Sequence, residues 1–572
     1  MGPQNEANSV VNGQQKVDAT TIAQAEKLLG ADYSDAERLQ MVDNIAGQVE
    51  LAIKRRAVRL PQALAPATRF DPRLPGWKPI DPGNFRPGDE PAPALPSRDI
   101  DIAYAPVTHL ARWIRAGTLT SVRLTEIYLE RIARLGEKLK CIATATPELA
   151  REQAERADRL LGDGIYLGPL HGIPWGAKDL LDTKGISTGW GAEPYRGRVP
   201  ASDASVVRKL ADAGAVLVAK TTLGALAYGD IWYGGRTRNP WNLEEGSSGS
   251  SAGSGCATAA GLVGFSIGTE TLGSIVAPSI RCGTTGLRPT FGRVSRAGAM
   301  ALCWSLDKIG PMCRTVEDTA LVLEAINGFD KDDPSSIAAP FGYDAAAPIK
   351  GLRLGYFPED FELPEADDLD RAALDAARRI GLELTALERP DLPYDALMNL
   401  LFAEAAAAFE ELTLENRDDE LSWQEPAAWP NAFRKARFLS AVDHVQLDRL
   451  RRRVMQDMDA AFSKVDAIIA PCLVGPMVTI TNFTGHPALV MRSGFRQSET
   501  RGSLTLVRAR PQQVSPAKGP TFTVPHAICV HGRLFDEGTI LRIGKALERE
   551  FAVWDRRPPL ELQEAPARAW DR

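Results

Sequence analysis

The run "GSSGSSAGSGCATAAGLVGFSIGTETLGSI", residues 246–275, decides how this chain is read. Its first dozen positions are mostly Gly and Ser, its middle is small and apolar, and its end is a strand-like stretch closing on a Gly-Ser dipeptide. Three readings compete for it. A Gly/Ser-rich segment is ordinarily a flexible linker. Here linker polarity disappears at "CATAAGLVGFSIG", and closely packed backbone wants residues without bulk. The second reading takes "GSSAG" at 249–253 as the G-x-S-x-G of an elbow-type esterase. Ser251 is then the nucleophile, with His444, His486, His526 or His531 downstream as base. An elbow follows a buried strand, and the preceding "RNPWNLEE" contains no strand-like run. In the third reading a serine is activated without histidine. Lys178, in "GPLHGIPWGAKDLLDTKG", follows an apolar, Gly-rich stretch. A lysine held out of water has its charged form disfavoured and accepts a proton near neutral pH. Taken alone, a lysine is more at home on a solvated surface.

Outward from this run, the composition is that of an ordinary folded chain: 572 residues, 44% hydrophobic and 24% charged. The 67 basic and 73 acidic residues are interleaved and leave a formal net charge of -6, so no concentrated field attracts nucleic acid or an acidic membrane. The uncharged run 246–269 is long enough for a membrane span, but its Gly/Ser start is too polar for lipid. Seven scattered cysteines without a C-x-x-C pair read as reduced thiols in a cytoplasm, and the first residues show no secretory leader.

Residues 20–58 carry apolar positions at helical spacing and predict two amphipathic helices. Ten of the 40 prolines fall between Pro61 and Pro96, which predicts an extended strap laid over another surface. From about residue 100, "TSVRLTEIYLERIARL" predicts a helix and "SVVRKLADAGAVLVAKTT" a helix, Gly turn and buried strand. "LVGFSIG", "GLRLGYF" and "DAIIAP" are further strands. The expected fold is an α/β/α sandwich with a mixed, twisted central sheet. The expected division is 1–98 as a helical extension and Pro-rich strap and 99–572 as the catalytic domain, with 340–460 a helix-rich insert.

Taken in order, "GPLHGIPWGAKDLLDTKG", "NPWN", "GSSAGSG", "GTETLGSIVAPS" and "CGTTGLRPTFGRVSRAG" resemble the amidase signature family, and the likeness continues more weakly to near residue 556. The resemblance implies a Ser-cis-Ser-Lys triad. Ser274 in "LGSI" matches the nucleophile, Ser250, 24 positions upstream, the bridging serine after a cis peptide bond, and Lys178 the base. It also implies an oxyanion hole from the backbone N–H groups of Thr271, Leu272, Gly273 and Ser274, with Ser251 and Glu270 in support. Departures from several members are Glu270 for Asp, Leu272 for Gly and Val276 for Arg. The first keeps the charge, the second narrows the approach to the oxyanion loop, and the third removes a side-chain donor.

The implied activity is hydrolysis of carboxylic amides, with esters, anilides or carbamates as further substrates, needing no metal or organic cofactor. The implied partner is a small-molecule amide, and a homodimer is compatible with this reading. One branch of the family supplies the glutaminase-type subunit of a transamidation complex; the extension of about a hundred residues favours a stand-alone bacterial-type amidase instead. Trp175, Tyr228, Trp232, Tyr233 and Trp304 are pocket candidates, although core packing is the commoner fate of such residues. His171 and His486 are read as structural.

Overall fold

The small and apolar runs singled out above assemble, in a computed structural model that describes residues 17–502 and 520–560, into one eleven-stranded mixed sheet. Its strands are β1 (Ile142–Ala145), β2 (Pro174–Lys178), β3 (Val216–Thr221), β4 (Phe265–Glu270), β5 (Thr285–Arg288), β6 (Lys308–Cys313), β7 (Arg353–Tyr356), β8 (Glu383–Ala386), β9 (Ala467–Pro471), β10 (Ala488–Ser498) and β11 (Phe522–Gly532). Their spatial order is β8-β7-β9-β11-β10-β5-β6-β4-β2-β3-β1. β2 is parallel to both β3 and β4, whereas β4–β6, β6–β5 and β5–β10 are antiparallel. The residues read as free of a secretory leader, 1–16, lie outside the described residues.

Strand pleating explains the layers, because successive side chains point to opposite faces. In β3, Leu217 enters the larger apolar core, while Val216 and Val218 enter a second core on the other face with Leu129, Ile132 and Leu135 of a flanking helix. A sheet covered on both faces reads as continuous apolar sequence, which is why β3, β4 and β9 were visible in the sequence. β8 is one of the two edge strands; its side chains are exposed or half-buried, and it gave no apolar signal. With β7 it brings residues 340–460 into the sheet, so that stretch is more than a helix-rich insert. "RNPWNLEE" is also partly extended. Arg238–Asn239 and Asn242–Gly246 pair as a short antiparallel ladder outside the central sheet, too brief and polar to show as a strand run.

The predicted N-terminal helices are α1 (Ala19–Leu29) and α2 (Asp35–Arg56). Each opens with a capping box, from Asp18 and from Ser34, that satisfies otherwise orphaned backbone donors. The proline-rich strap follows, extended and docked by its aromatic rings: Phe70 packs edge-on to Phe291 at 5.1 Å and Trp77 to Phe535 at 5.6 Å. Phe85–Arg86 adds a short parallel pairing with Tyr343–Asp344. Helix α3 (Ser121–Leu139) begins where the side chain of Thr120 accepts from the Arg123 N–H. Among the described residues no helix is long and apolar enough to cross a membrane.

Candidate active site

The Gly/Ser run is neither linker nor surface loop. Residues 247–251 are buried apart from partly buried Gly249, and α4 (Ala252–Ala259) starts immediately after them. The Gly249–Ser250 peptide bond is cis. A Cβ at Gly249 would sit 1.8 Å from the Gly229 carbonyl oxygen, so only glycine allows these two loops to touch. This close approach holds Ser250 against the end of β2.

There the Lys178 amine is fully buried and donates to Ser250 Oγ at 2.8 Å, Ser251 Oγ at 3.0 Å and Thr269 Oγ1 at 2.8 Å. Among the described residues no carboxylate lies within ion-pair distance of it. Burial therefore holds Lys178 well below the ordinary lysine range, and the more distant Asp307 and Glu270 charges offset this only in part. Hydroxyls turn to donate or accept, so a cage of three hydroxyls suits a neutral amine as well as an ammonium.

Ser251 has a different set of partners. Its hydroxyl donates to the Thr269 carbonyl and accepts from the Thr269 N–H, both at 3.0 Å, which stitches the start of α4 to β4. No histidine is among its partners. His486 is stacked on Phe462, and burial holds both His486 and His531 down at about 3; His526 pairs with Asp370 and His444 lies on a helix facing another cavity. The elbow reading with a Ser251–histidine pair is therefore overturned by geometry. His171 is likewise occupied, its Nε2 lying 2.9 Å from the Ala157 carbonyl.

The segment 271–275 links β4 to helix α5 (Val276–Cys282). Gly273 sits at φ 82°, a left-handed conformation that favours glycine. Among the described residues, no internal hydrogen bond occupies the N–H groups of Leu272, Gly273 or Ser274. Ser274 is 8% exposed, and its carbonyl accepts from the Ser251 N–H at 3.1 Å. The described residues show no hydrogen bond between Ser250 Oγ and Ser274 Oγ; catalytic bonds of this kind are often long before substrate binds.

Glu270 clamps this turn. Its carboxylate accepts from the Ile275 and Val276 N–H groups at 2.8 and 3.0 Å, from Arg288 at 2.7 Å and from Asn482 at 2.8 Å. Burial works against the charge, but the Arg288 guanidinium and these donors carry Glu270 down to about 2. Leu272, expected to narrow the approach, is tucked into the main core at 6% exposure.

Two residues of the site escaped the sequence reading. Asp307 accepts from Thr271 Oγ1 at 2.6 Å and from the Leu302 and Cys303 N–H groups, binding the turn to the next loop. Lys308, on β6 opposite Glu270, donates to the Leu306 carbonyl and, at 3.4 Å, to the Thr271 carbonyl. Burial pushes Lys308 well down and Asp307 up. A charged pair inside the otherwise buried "SLDKIGPMC" was the available signal.

A chamber of ≈ 320 Å³ abuts the site through Thr269 and Thr271, which are part of its wall together with Leu180, Met300 and Lys308; neither Ser250 nor Ser274 lines it. The five aromatic candidates do not converge there. Trp304 lines this chamber, and Trp232 lines a smaller cavity with Trp423 and Trp429. Tyr228 packs between Trp423 and Trp429, and Tyr233 lies against Trp232 under Arg196. Trp175 is core, because β2 is covered on both faces and its ring stacks on Phe265 at 6.1 Å.

A family model described as Amidase matches residues 123–539. The chain is 35% identical over 479 residues to a glutamyl-tRNA(Gln) amidotransferase subunit from Roseiflexus sp. (strain RS-1), covering 78% of this chain and 96% of that protein. The corresponding subunit of Geobacter metallireducens is 34% identical over 465 residues, covering 76% and 94%. The crystal structure of a peptide amidase from Stenotrophomonas maltophilia superposes with a TM-score of 0.67 at 29% identity, covering 80% of this chain and 98% of that one.

Proposed function

The chain belongs to the amidase signature family, a family of enzymes acting on amide C–N bonds, and on that premise we propose that it hydrolyses small carboxylic amides through a seryl acyl-enzyme on Ser274. A serine hydroxyl attacks a carbonyl only as its proton is removed. In this reading neutral Lys178 takes the proton of Ser250, and Ser250 takes that of Ser274. The tetrahedral oxyanion is met by the N–H groups of the 271–274 turn, which Glu270 and Asp307 hold in place, so little reorganisation is needed as charge develops. Ser250 then returns the proton to the leaving amine. Water releases the acyl group with Lys178 again as base. Esters, anilides and carbamates suit the same acylation.

The observation that carries the reading is the Lys178 amine, wholly buried, without an acid partner among the described residues, and 2.8 Å from Ser250 Oγ. A lysine whose task was a salt bridge or solvation would not be held this way. The test is to treat the protein with a fluorophosphonate and map the adduct by peptide mass. The expected adduct is on Ser274 and absent from the Lys178→Ala variant; an adduct on Ser251, or none, overturns the assignment.

A second reading is favoured by the names of the two amidotransferase relatives: the chain is the ammonia-releasing component of a larger transamidating assembly. Glutamine hydrolysis that appears only with added partner subunits would support it. Turnover of small amides by the purified chain alone supports the stand-alone enzyme.

A further inference from the structure

The strap is bonded to both rims of the chamber beside the site. Its backbone turns at Pro61–Leu64, where the Leu64 N–H donates to the Pro61 carbonyl at 2.8 Å. The Gln62 amide then clamps one rim in both directions, donating to the Ala301 carbonyl and accepting from the Ala301 N–H at 3.4 Å. A few residues on, Arg69 donates to the Pro334 carbonyl on another part of the rim. Phe70 is fixed between Phe291 and the Arg451 guanidinium, the latter 3.4 Å from its ring centre. Ala301 and Pro334 both line the ≈ 320 Å³ chamber, as do Ala63 and Ala65 of the strap itself. Ala65 and Trp304 also line a second cavity of ≈ 440 Å³, so these two residues are the partition between two spaces.

We propose that Ala63 and Ala65 of the strap, held in place by Gln62, are the outer wall of the substrate chamber and set the upper size limit of the amide admitted. This rests on the amidase reading given above. The residues facing inward are alanines, which leave room for a ligand while closing the wall, whereas the bulkier Leu64 points outward at 57% exposure. Leu180, Met300, Leu302 and Ile309 make the inner part apolar, and Asp203, Asp332 and Asp333 together with Arg208, Arg296 and Lys308 bring charge of both signs to the lining. The volume lies at the lower end of ligand pockets. Together these features select a compact amide with a largely apolar, aryl-sized body and exclude long acyl chains.

The experiment compares kcat/KM for 4-nitroacetanilide with that for its decanoyl homologue in full-length Gln62→Ala, Ala65→Trp and Leu64→Ala. Thermal unfolding verifies that each variant is folded. Releasing the clamp in Gln62→Ala should move the ratio toward the bulky substrate by about tenfold, and filling the chamber in Ala65→Trp should move it away by about tenfold, the discrimination expected from small changes in an apolar pocket. Leu64→Ala, which lines neither cavity, should keep the wild-type ratio. If Ala65→Trp does not fold, Gln62→Ala alone decides. Ratios unchanged from wild type, with Ser274 still labelled by a fluorophosphonate, overturn the strap's role and leave the amidase reading standing. A wild type unreactive toward both anilides and the fluorophosphonate overturns the amidase reading and this proposal with it.

Discussion

At the scale of single residues, the site is organised around one lysine that is kept out of water. Because burial lowers its pKa, the neutral amine, the form able to accept a proton, accumulates once the pH exceeds that lowered value. The logarithm of kcat/KM is therefore expected to climb with pH and level off at a pH well below the ordinary lysine range; a profile flat from acidic to alkaline pH would count against a lysine base. Lys178→Ala and Ser274→Ala are each expected to lose at least about a thousandfold in kcat/KM, and the double variant little more, since residues that act as a unit lose activity together. Arg288 has another task. Replacing it by Met leaves the Glu270 carboxylate buried without its charged partner, with an expected loss of about 3–5 kcal/mol measured by denaturant unfolding. A variant as stable as wild type would show that the backbone donors and Asn482 hold Glu270 without it.

At the scale of elements, what could be read in advance follows burial. β3, β4 and β9 announced themselves because both faces of the sheet are covered, whereas edge strand β8 carries exposed side chains and stayed hidden. In the site, Lys178, Ser250 and Ser274 were singled out through the family resemblance; what the residues alone made legible is that the Gly/Ser run is packed backbone and not a linker, since Gly and Ser mark places where backbones approach closely. Asp307 and Lys308 were passed over: the charged pair in "SLDKIGPMC" was their one signal, and a carboxylate that ties two loops together leaves no periodicity or spacing in one sequence. Of the five aromatic candidates Trp304 alone lines the chamber, for a related reason: ring size predicts burial but not whether the burial is against core or beside a cavity. The contact between Gly249 and the Gly229 carbonyl makes the strongest claim at this scale. Gly249→Ala must displace one loop, and a loss of about 3 kcal/mol in thermal unfolding is expected, together with loss of activity. An alanine variant with wild-type melting would mean the two loops are free to part.

At the scale of the whole molecule, the N-terminal helices and strap are held by two kinds of contact of unequal weight. Arg55 pairs with Glu410, and Arg59 with Glu411 and Glu415, all with partly or largely exposed side chains. Pairs of this kind contribute little, and Arg55→Ala is expected to change stability by less than about 0.5 kcal/mol. Phe70 lies against Phe291 and Arg451. Phe70→Ala is expected to lose about 2 kcal/mol and to make the strap the earliest site of proteolytic cleavage. Limited proteolysis followed by mass mapping distinguishes the two outcomes.

The docking of Trp77 on Phe535 also sets an order of assembly. Residue 77 leaves the ribosome long before residue 535 has been made, and at typical elongation rates the wait is on the order of tens of seconds. Throughout that interval the Trp77 ring lacks the Phe535 ring to lie against, although Phe291, which receives Phe70, is made much earlier. The strap thus settles from its chamber end, where Gln62 and Phe70 meet residues 291–301, before its Trp77 end can dock.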